Sequence, residues 1–407
     1  MRRALLTLLA LSALVPVEVA QADLTSSLTR QMRQAGSFSG AYVTNLTTGE
    51  REFAWRAGRP RVLASNTKLF TSAAALARFG TEGTLGTVVL GDGALDTEGV
   101  WRGDLYLRGG GDPTFGSRSF TARSYGDGAT VEDLAALVDE AGVERVTGRV
   151  YGDESSHDSL RGGPDSGYGV SIWVGPLSAL SFNRGLASEG GRSFQVDPPA
   201  FAAARLDAAL EARGIRVRLK PRAGTAPEGT TELASVESPP METLVRLTNK
   251  ASDNFFAEVL TKDLAMQARG VGTTAAGARL AAGFARRLGA RAWLADGSGL
   301  SSANRASPYR VVRLLEAMAG RDEFETWEAS LPVAGRDGTL RDRMRSGAAR
   351  GRCRGKTGTL SNVSALSGYC TARSGELYAF SILMTGVYTP GARRLQDRMA
   401  QAIARQR

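Results

Sequence analysis

The chain reads as an α+β protein in which one antiparallel sheet lies between helices and a mostly β segment is inserted into it. Three observations predict this. Two strand-like runs lie early, within Ser39 to Trp55, and three lie late, at Arg352–Thr359, Ser364–Thr371 and Glu376–Met384. Helical periodicity dominates from about Pro240 onward. Between these regions, from about Gly86 to Gly229, the chain is rich in glycine and short β-type runs. One sheet built from both chain ends, interrupted by an insert, accounts for all three. The boundaries follow: a leader over 1–22, a first catalytic segment over 23–85, the insert over 86–239 and a second segment over 240–407. A chain of 407 residues with 42% hydrophobic and 23% charged residues can bury more than one core.

The leader has a basic start, Arg2 and Arg3, then an apolar stretch from Ala4 to Val17 and small residues at Ala20-Gln21-Ala22, making Asp23 the expected new N-terminus. The apolar run is short for a membrane anchor, and Pro16 and Glu18 interrupt its end. Export with cleavage is expected, to a periplasm or to the extracellular cell-wall space. No later run has the length and apolarity to span a bilayer, so no anchor is expected after cleavage.

A short helix is expected over Leu24–Gln34, then two strands joined at Thr47-Thr48-Gly49. A helix starting just after Ser65 carries Leu69, Ala73, Leu76 and Ala77 on its periodic positions and stops at Gly80. In the insert, short strands fit Thr87–Leu90, Asp104–Arg108, Arg145–Tyr151 and Ile215–Leu219. Two helices interrupt them: Val131–Glu140, with Thr130 and Asp133 as a cap pair, and Phe201–Arg213. Gly109-Gly110-Gly111-Asp112-Pro113 is a tight loop; no third glycine follows at dinucleotide-binding spacing. Later helices fit Met241–Thr248, Asp253–Arg269, Ala275–Leu288, Tyr309–Met318 and Ala392–Arg405.

The formal charge is +10. An exported basic protein suits anionic wall polymers, and an arginine-rich composition without electrostatic purpose fits equally. No basic cluster interleaved with aromatics points to nucleic acid. Only Lys68, Lys220, Lys250, Lys262 and Lys356 are lysines; the other basic residues among the 51 are arginine. A chain that uses arginine for plain positive charge makes each lysine a candidate for chemistry, since an amine can lose its proton and a guanidinium cannot. The single histidine, His157, excludes multi-histidine metal sites and weakens any Ser-His-Asp scheme. It lies in the polar stretch Gly152–Asp158 and is expected at the surface. No metal or cofactor is called for. Cys353 and Cys370 flank a hairpin centred near Ser361-Asn362, which would set them opposite each other as a disulfide. Closing a loop of that size stabilises by about 3 kcal/mol in the chain-entropy picture.

Lys68 follows Ser65 by three positions, which places both side chains on one helical face. A serine hydroxyl needs a neighbouring base to become a nucleophile, and a neutral lysine can serve. Burial and the positive charge of Lys356 would both favour neutral Lys68. The Ser65 N–H, at a helix start, can face a developing oxyanion. Alone, Ser-x-x-Lys also describes an ordinary cap followed by a solvated lysine. Lys356-Thr357-Gly358 lies on a strand. It is no phosphate loop, because Arg350 stands where the opening glycine is required. Lys356 and Thr357 offer an ammonium and a hydroxyl to a substrate carboxylate. Gly358 would let a substrate backbone approach, and the Thr359 N–H would be a second oxyanion donor. Ser252-Asp253-Asn254 opens a further helix: a capping triplet by composition, or Ser252 for proton transfer with Asn254 as an amide contact to substrate.

Taken together, Ser-x-x-Lys, Ser-x-Asn and Lys-Thr-Gly resemble the three motifs of penicillin-binding proteins and serine β-lactamases. The long interval from Ser65 to Ser252 narrows the resemblance, as do Asp104-Leu-Tyr-Leu-Arg-Gly-Gly-Gly-Asp-Pro113, Asp296-Gly-Ser-Gly-Leu300, Leu331-Pro-Val-Ala-Gly335, Asp337-Gly-Thr-Leu340 and Leu366-Ser-Gly-Tyr369. The whole chain after the leader is similar to the D-Ala-D-Ala carboxypeptidase/endopeptidase family, the class C low-molecular-mass penicillin-binding proteins. That resemblance implies a transpeptidase-like domain and removal of terminal D-Ala from peptidoglycan stem peptides, with cutting of D-Ala cross-links in some members. It also implies acylation of Ser65 by β-lactams, with Lys68 as base, Ser252 and Asn254 as the second motif, and Lys356 and Thr357 on the substrate carboxylate. The motifs also fit a serine β-lactamase, which needs a positioned deacylating water. A non-catalytic wall-binding protein would have no need to keep all three.

Overall fold

The computed structural model describes residues 17–407, with side chains from Leu24 onward. The basic start and most of the apolar stretch of the expected leader lie outside the described residues. Its end, including Ala20–Ala22, belongs to α1 (Val17–Gln34).

The main sheet uses both ends of the chain. β1 (Gly40–Asn45) and β2 (Arg51–Trp55) come first, and β3 (Arg61–Val62) forms a separate small pair later. A 3-10 turn, Ala64–Asn66, leads into α2 (Thr67–Phe79), which ends at Gly80 with φ 76°. The insert follows: β4 (Gly86–Leu95), β5 (Val100–Gly109), α3 (Arg118–Tyr125), α4 (Val131–Glu140), β6 (Arg145–Val146), β7 (Val150–Asp153), α5 (Pro198–Ala212), β8 (Arg216–Val217), β9 (Arg222–Ala223) and β10 (Thr231–Glu237). The chain then returns through α6 (Met241–Lys250), α7 (Asn254–Arg269), α8 (Thr274–Arg287), β11 (Arg305–Ala306), α9 (Pro308–Ala319) and α10 (Phe324–Ala329). It closes with β12 (Cys353–Leu360), β13 (Val363–Thr371), β14 (Leu377–Thr385) and α11 (Thr389–Ala404).

The sheet order is β12-β13-β14-β1-β2, antiparallel throughout. Both faces are covered, and β14 is accordingly buried without a break from Tyr378 to Met384. Phe380 and Ile382 face α1 and α11, among Leu28, Met32, Met399 and Ile403. Ala379 and Leu383 face the helical layer, among Leu69, Val245, Leu260, Val311 and Leu315. Register pairs Cys353 with Cys370, and the two form a disulfide.

The insert has a core of its own, in which Val89, Leu105 and Leu107 pack against Leu134, Val138, Leu206 and Leu210 of α4 and α5. Its strand-rich pattern is accompanied by three helices, and β5–β6, β5–β7, β6–β8 and β7–β9 pair in parallel. Thr130 caps α4 by accepting from the Asp133 N–H, as the Thr-x-x-Asp spacing expects.

One sequence expectation is reversed. His157 is buried, with Nε2 hydrogen-bonded to Asp263 Oδ1 of α7 at 2.7 Å. Its polar neighbours suggested water, but the segment is covered by α7. Burial disfavours the charged form of each, holding His157 down to about 3 and pushing Asp263 well up. Beside it, the Lys262 ammonium donates to Asp158 Oδ1 at 2.6 Å and to the Leu160 carbonyl at 2.9 Å. These contacts fasten the insert to α7.

Candidate active site

The site is assembled where α2, α7 and β12 meet. Ser65 lies on the 3-10 turn and Lys68 in the first turn of α2, whose residues 67–76 are all buried. Ala64, just before Ser65, has φ 46°, a left-handed conformation that an alanine adopts only when its surroundings impose it. They do so from two sides. Asn66 Nδ2 donates to the Lys356 carbonyl at 2.9 Å, tying the turn to β12. Gly299 lies so close that a Cβ there would stand 1.9 Å from the Ala64 carbonyl oxygen.

Lys68 is fully buried and its Nζ has three neighbours: Ser65 Oγ at 3.3 Å, Asn254 Oδ1 at 2.7 Å and the Ser298 carbonyl at 2.7 Å. Burial lowers its pKa to about 8, while the charges of Glu258, Asp296 and Asp253 pull it upward. The repulsion expected from Lys356 falls on Lys356 itself, which burial and then Lys68 hold well below the usual lysine range.

Ser252 has φ 61° and Asp253 is the N-cap of α7, accepting from the Phe256 N–H at 3.1 Å. Within one triplet Asp253 caps the helix, while Ser252 and Asn254 reach toward Lys356 and Lys68. Lys356 Nζ donates to Ser252 Oγ at 2.8 Å, and Asn254 Nδ2 donates to the Trp173 carbonyl at 3.1 Å. Asp253 is also gripped by Arg184 of the insert, at 2.5 and 3.1 Å. Thr357 Oγ1 donates to Thr339 Oγ1 at 2.7 Å, on the loop whose Asp337 pairs with Lys250 at 2.7 Å. Thr359 is exposed, and its Oγ1 accepts from Arg393 at 3.0 Å.

Gly358 also makes a close approach within the chain. A Cβ there would lie 2.9 Å from the Leu63 carbonyl oxygen and 3.1 Å from Ala64 Cβ. The absent side chain lets β12 close on the Ala64–Asn66 turn. Sequence reasoning also missed Arg184, Glu258 and the Ser298 carbonyl. The phrase Asp296-Gly-Ser-Gly-Leu300 was the available signal, because so glycine-dense a turn marks a close backbone approach.

A profile of the D-Ala-D-Ala carboxypeptidase 3 (S13) family matches residues 20–188 and 186–406. The chain is 32% identical over 451 residues to a D-alanyl-D-alanine carboxypeptidase of Actinomadura sp. (strain R39), covering 91% of this chain and 81% of that protein. It is 28% identical to a carboxypeptidase DacB of Mycolicibacterium smegmatis, covering 89% and 79%. The fold is similar to that of penicillin binding protein 4 from Haemophilus influenzae, with a TM-score of 0.77 at 20% identity over 91% of this chain and 97% of that one. A further crystal structure of that protein holds a β-lactam. A penicillin G-acylated endopeptidase from Bdellovibrio bacteriovorus shares the fold with a TM-score of 0.56 at 17% identity, covering 91% and 93%.

Proposed function

The chain belongs to the D-Ala-D-Ala carboxypeptidase 3 (S13) family and is a serine-type D-Ala-D-Ala carboxypeptidase; on that premise we propose that it works through an acyl-enzyme on Ser65. The single observation that carries this is the Lys68 Nζ environment. A neutral amine has two N–H groups and one lone pair. With the N–H groups given to Asn254 Oδ1 and the Ser298 carbonyl, the lone pair is left for the Ser65 hydroxyl.

Lys68 takes the Ser65 proton as Oγ attacks the carbonyl carbon of the penultimate D-Ala. The Ser65 and Thr359 N–H groups receive the oxyanion. Ser252 relays the proton taken by Lys68 to the departing D-Ala amine, which leaves Lys68 neutral to act again as base when water releases the acyl group. Lys356 and Thr357 hold the terminal carboxylate, Asn254 contacts the peptide amide, and Gly358 keeps β12 against the turn. A substrate carboxylate arriving at Lys356 opposes the downward shift that burial imposes and so favours its ammonium form.

β-Lactams acylate the same serine in this proposal, consistent with the acylated and complexed structures of its neighbours, and cross-linked stem peptides extend the substrate class to endopeptidase cutting. We place residues 86–239 as an inserted domain between 23–85 and 240–407. We place the enzyme outside the cytoplasmic membrane after removal of residues 1–22. The disulfide, which persists in oxidising compartments, supports that location, and no described helix is long and apolar enough to cross a membrane.

Mass spectrometry after incubation with penicillin tests the proposal. Wild type should gain one penicilloyl group on Ser65 and Ser65→Ala none, with peptidase activity lost in parallel; labelling of Ser65→Ala at the wild-type level refutes it.

A further inference from the structure

Below Lys68 lies a carboxylate that the proposed mechanism does not use. Glu258 sits one turn after Asn254 on α7 and is 1% exposed. Its Oε1 accepts from the Ser298 N–H at 2.8 Å and the Gly297 N–H at 3.2 Å, and its Oε2 from the Gly297 N–H at 3.3 Å. The Ser298 carbonyl accepts from Lys68 at 2.7 Å, and the Gly297 carbonyl from Thr71 Oγ1 at 2.9 Å. The Gly297–Ser298 turn is thus held by a carboxylate on its N–H side and by the reactive amine on its carbonyl side. Among the described residues Glu258 forms no ion pair, so its charge is not neutralised by a direct contact.

We propose that Glu258 is a positioning residue of the acyl-transfer reaction: it fixes the Ser298 carbonyl on the Lys68 amine and places a negative charge beneath it. This rests on the reading of Lys68 as the general base. The charged groups that surround this pair are few. Asp296 lies in the same turn, accepting from the Gly299 and Ser301 N–H groups and from Asn304. Asp253, already paired with Arg184, stands at the start of α7, and Lys356 faces Lys68 from β12. Burial and the neighbouring Asp296 push Glu258 up to about 7, while its charge raises the Lys68 pKa against the lowering effect of burial. Ionised Glu258 thus opposes deprotonation of the amine. It keeps the amine a strong enough base for a serine hydroxyl, and it moves the onset of activity upward in pH.

A purely architectural role makes a different forecast. Glutamine keeps the carbonyl acceptor for the turn and loses only the charge; leucine loses both. In the full chain, the second-order rate of Ser65 acylation by penicillin is measured from pH 5.5 to 9.5. Glu258→Gln should fold like wild type and shift the acidic limb downward by on the order of one pH unit, about tenfold faster than wild type on that limb. Glu258→Leu should lose roughly 100-fold at every pH, through a misplaced amine. A folded Glu258→Gln with an unmoved acidic limb overturns the inference, and wild type that is not acylated at Ser65 overturns the underlying reading instead. A measurement on wild type alone guards against a variant that fails to fold. With five lysines in the chain, the 13Cε resonances of lysine-labelled protein are few. The Lys68 resonance should report the ionisation of Glu258 as a second inflection beside its own titration. A single inflection overturns the inference.

Discussion

At the scale of single residues, scarcity separated chemistry from composition. Among 51 basic residues, five lysines stood out, and Lys68 and Lys356 prove to be the buried amines facing Ser65 and Ser252. The same logic had no purchase on His157 or Asp112. Their neighbours in sequence are mostly polar or glycine and show nothing of their burial; the partner that His157 meets, Asp263, lies more than a hundred positions away on α7. Asp112 gives that burial a measurable consequence. Its Oδ1 accepts from the Thr114 N–H and hydroxyl, both at 2.7 Å, while burial pushes the carboxyl up to about 7. A carboxyl with a raised folded pKa stabilises the fold fully below its unfolded value near 3.8 and loses that contribution as pH climbs to about 7. Asp112→Asn lacks this titration. Its stability relative to wild type should therefore rise between pH 4 and 7 and level off above, by about 4 kcal/mol at most. Denaturant unfolding of both proteins across that range checks it; a constant difference contradicts the assignment.

At the scale of elements, most of the architecture was legible, because α2, α7, α9 and the β12–β13 hairpin carry strong periodicity and clear ends. The hairpin midpoint alone places the cysteines opposite each other, as their register confirms. Less legible were the two-residue parallel strands of the insert and α10, each too short to show a period. At Gly358 the glycine signals a close backbone approach in the sequence, and the structure shows one by the chain's own Leu63–Ala64 segment. Gly358→Ala puts a methyl against the Leu63 carbonyl oxygen, so β12 must retreat from Ser65. Acylation should fall by on the order of 100-fold, since small displacements at a reacting centre are amplified. Thermal unfolding should change far less, because the hairpin disulfide and the β13 ladder remain. Wild-type acylation kinetics in this variant would show that the approach is not needed.

At the scale of the whole molecule, the insert is bound into the catalytic machinery. Arg184, at the end of an insert loop with φ 58°, forks onto Asp253 and stacks over Phe255 and Phe256. Asp253 caps the helix that presents Asn254, so the insert steadies the second motif through one guanidinium. Arg184→Met keeps much of the apolar stem and removes the fork. Acylation should drop roughly tenfold, and stability by about 1–3 kcal/mol, the partly buried Asp253 being left without its cation. Unaltered kinetics would mean that the insert touches the site without serving it.

The strand order has a consequence for synthesis. β1 pairs with β14, so Gly40–Asn45 must wait for residues 378–383 before its inner edge is satisfied. A ribosome-bound chain that has not yet delivered those residues exposes that edge and holds Ser65 without the strand carrying Lys356. Ser65 and Lys356 therefore come together only when the two ends of the polypeptide meet.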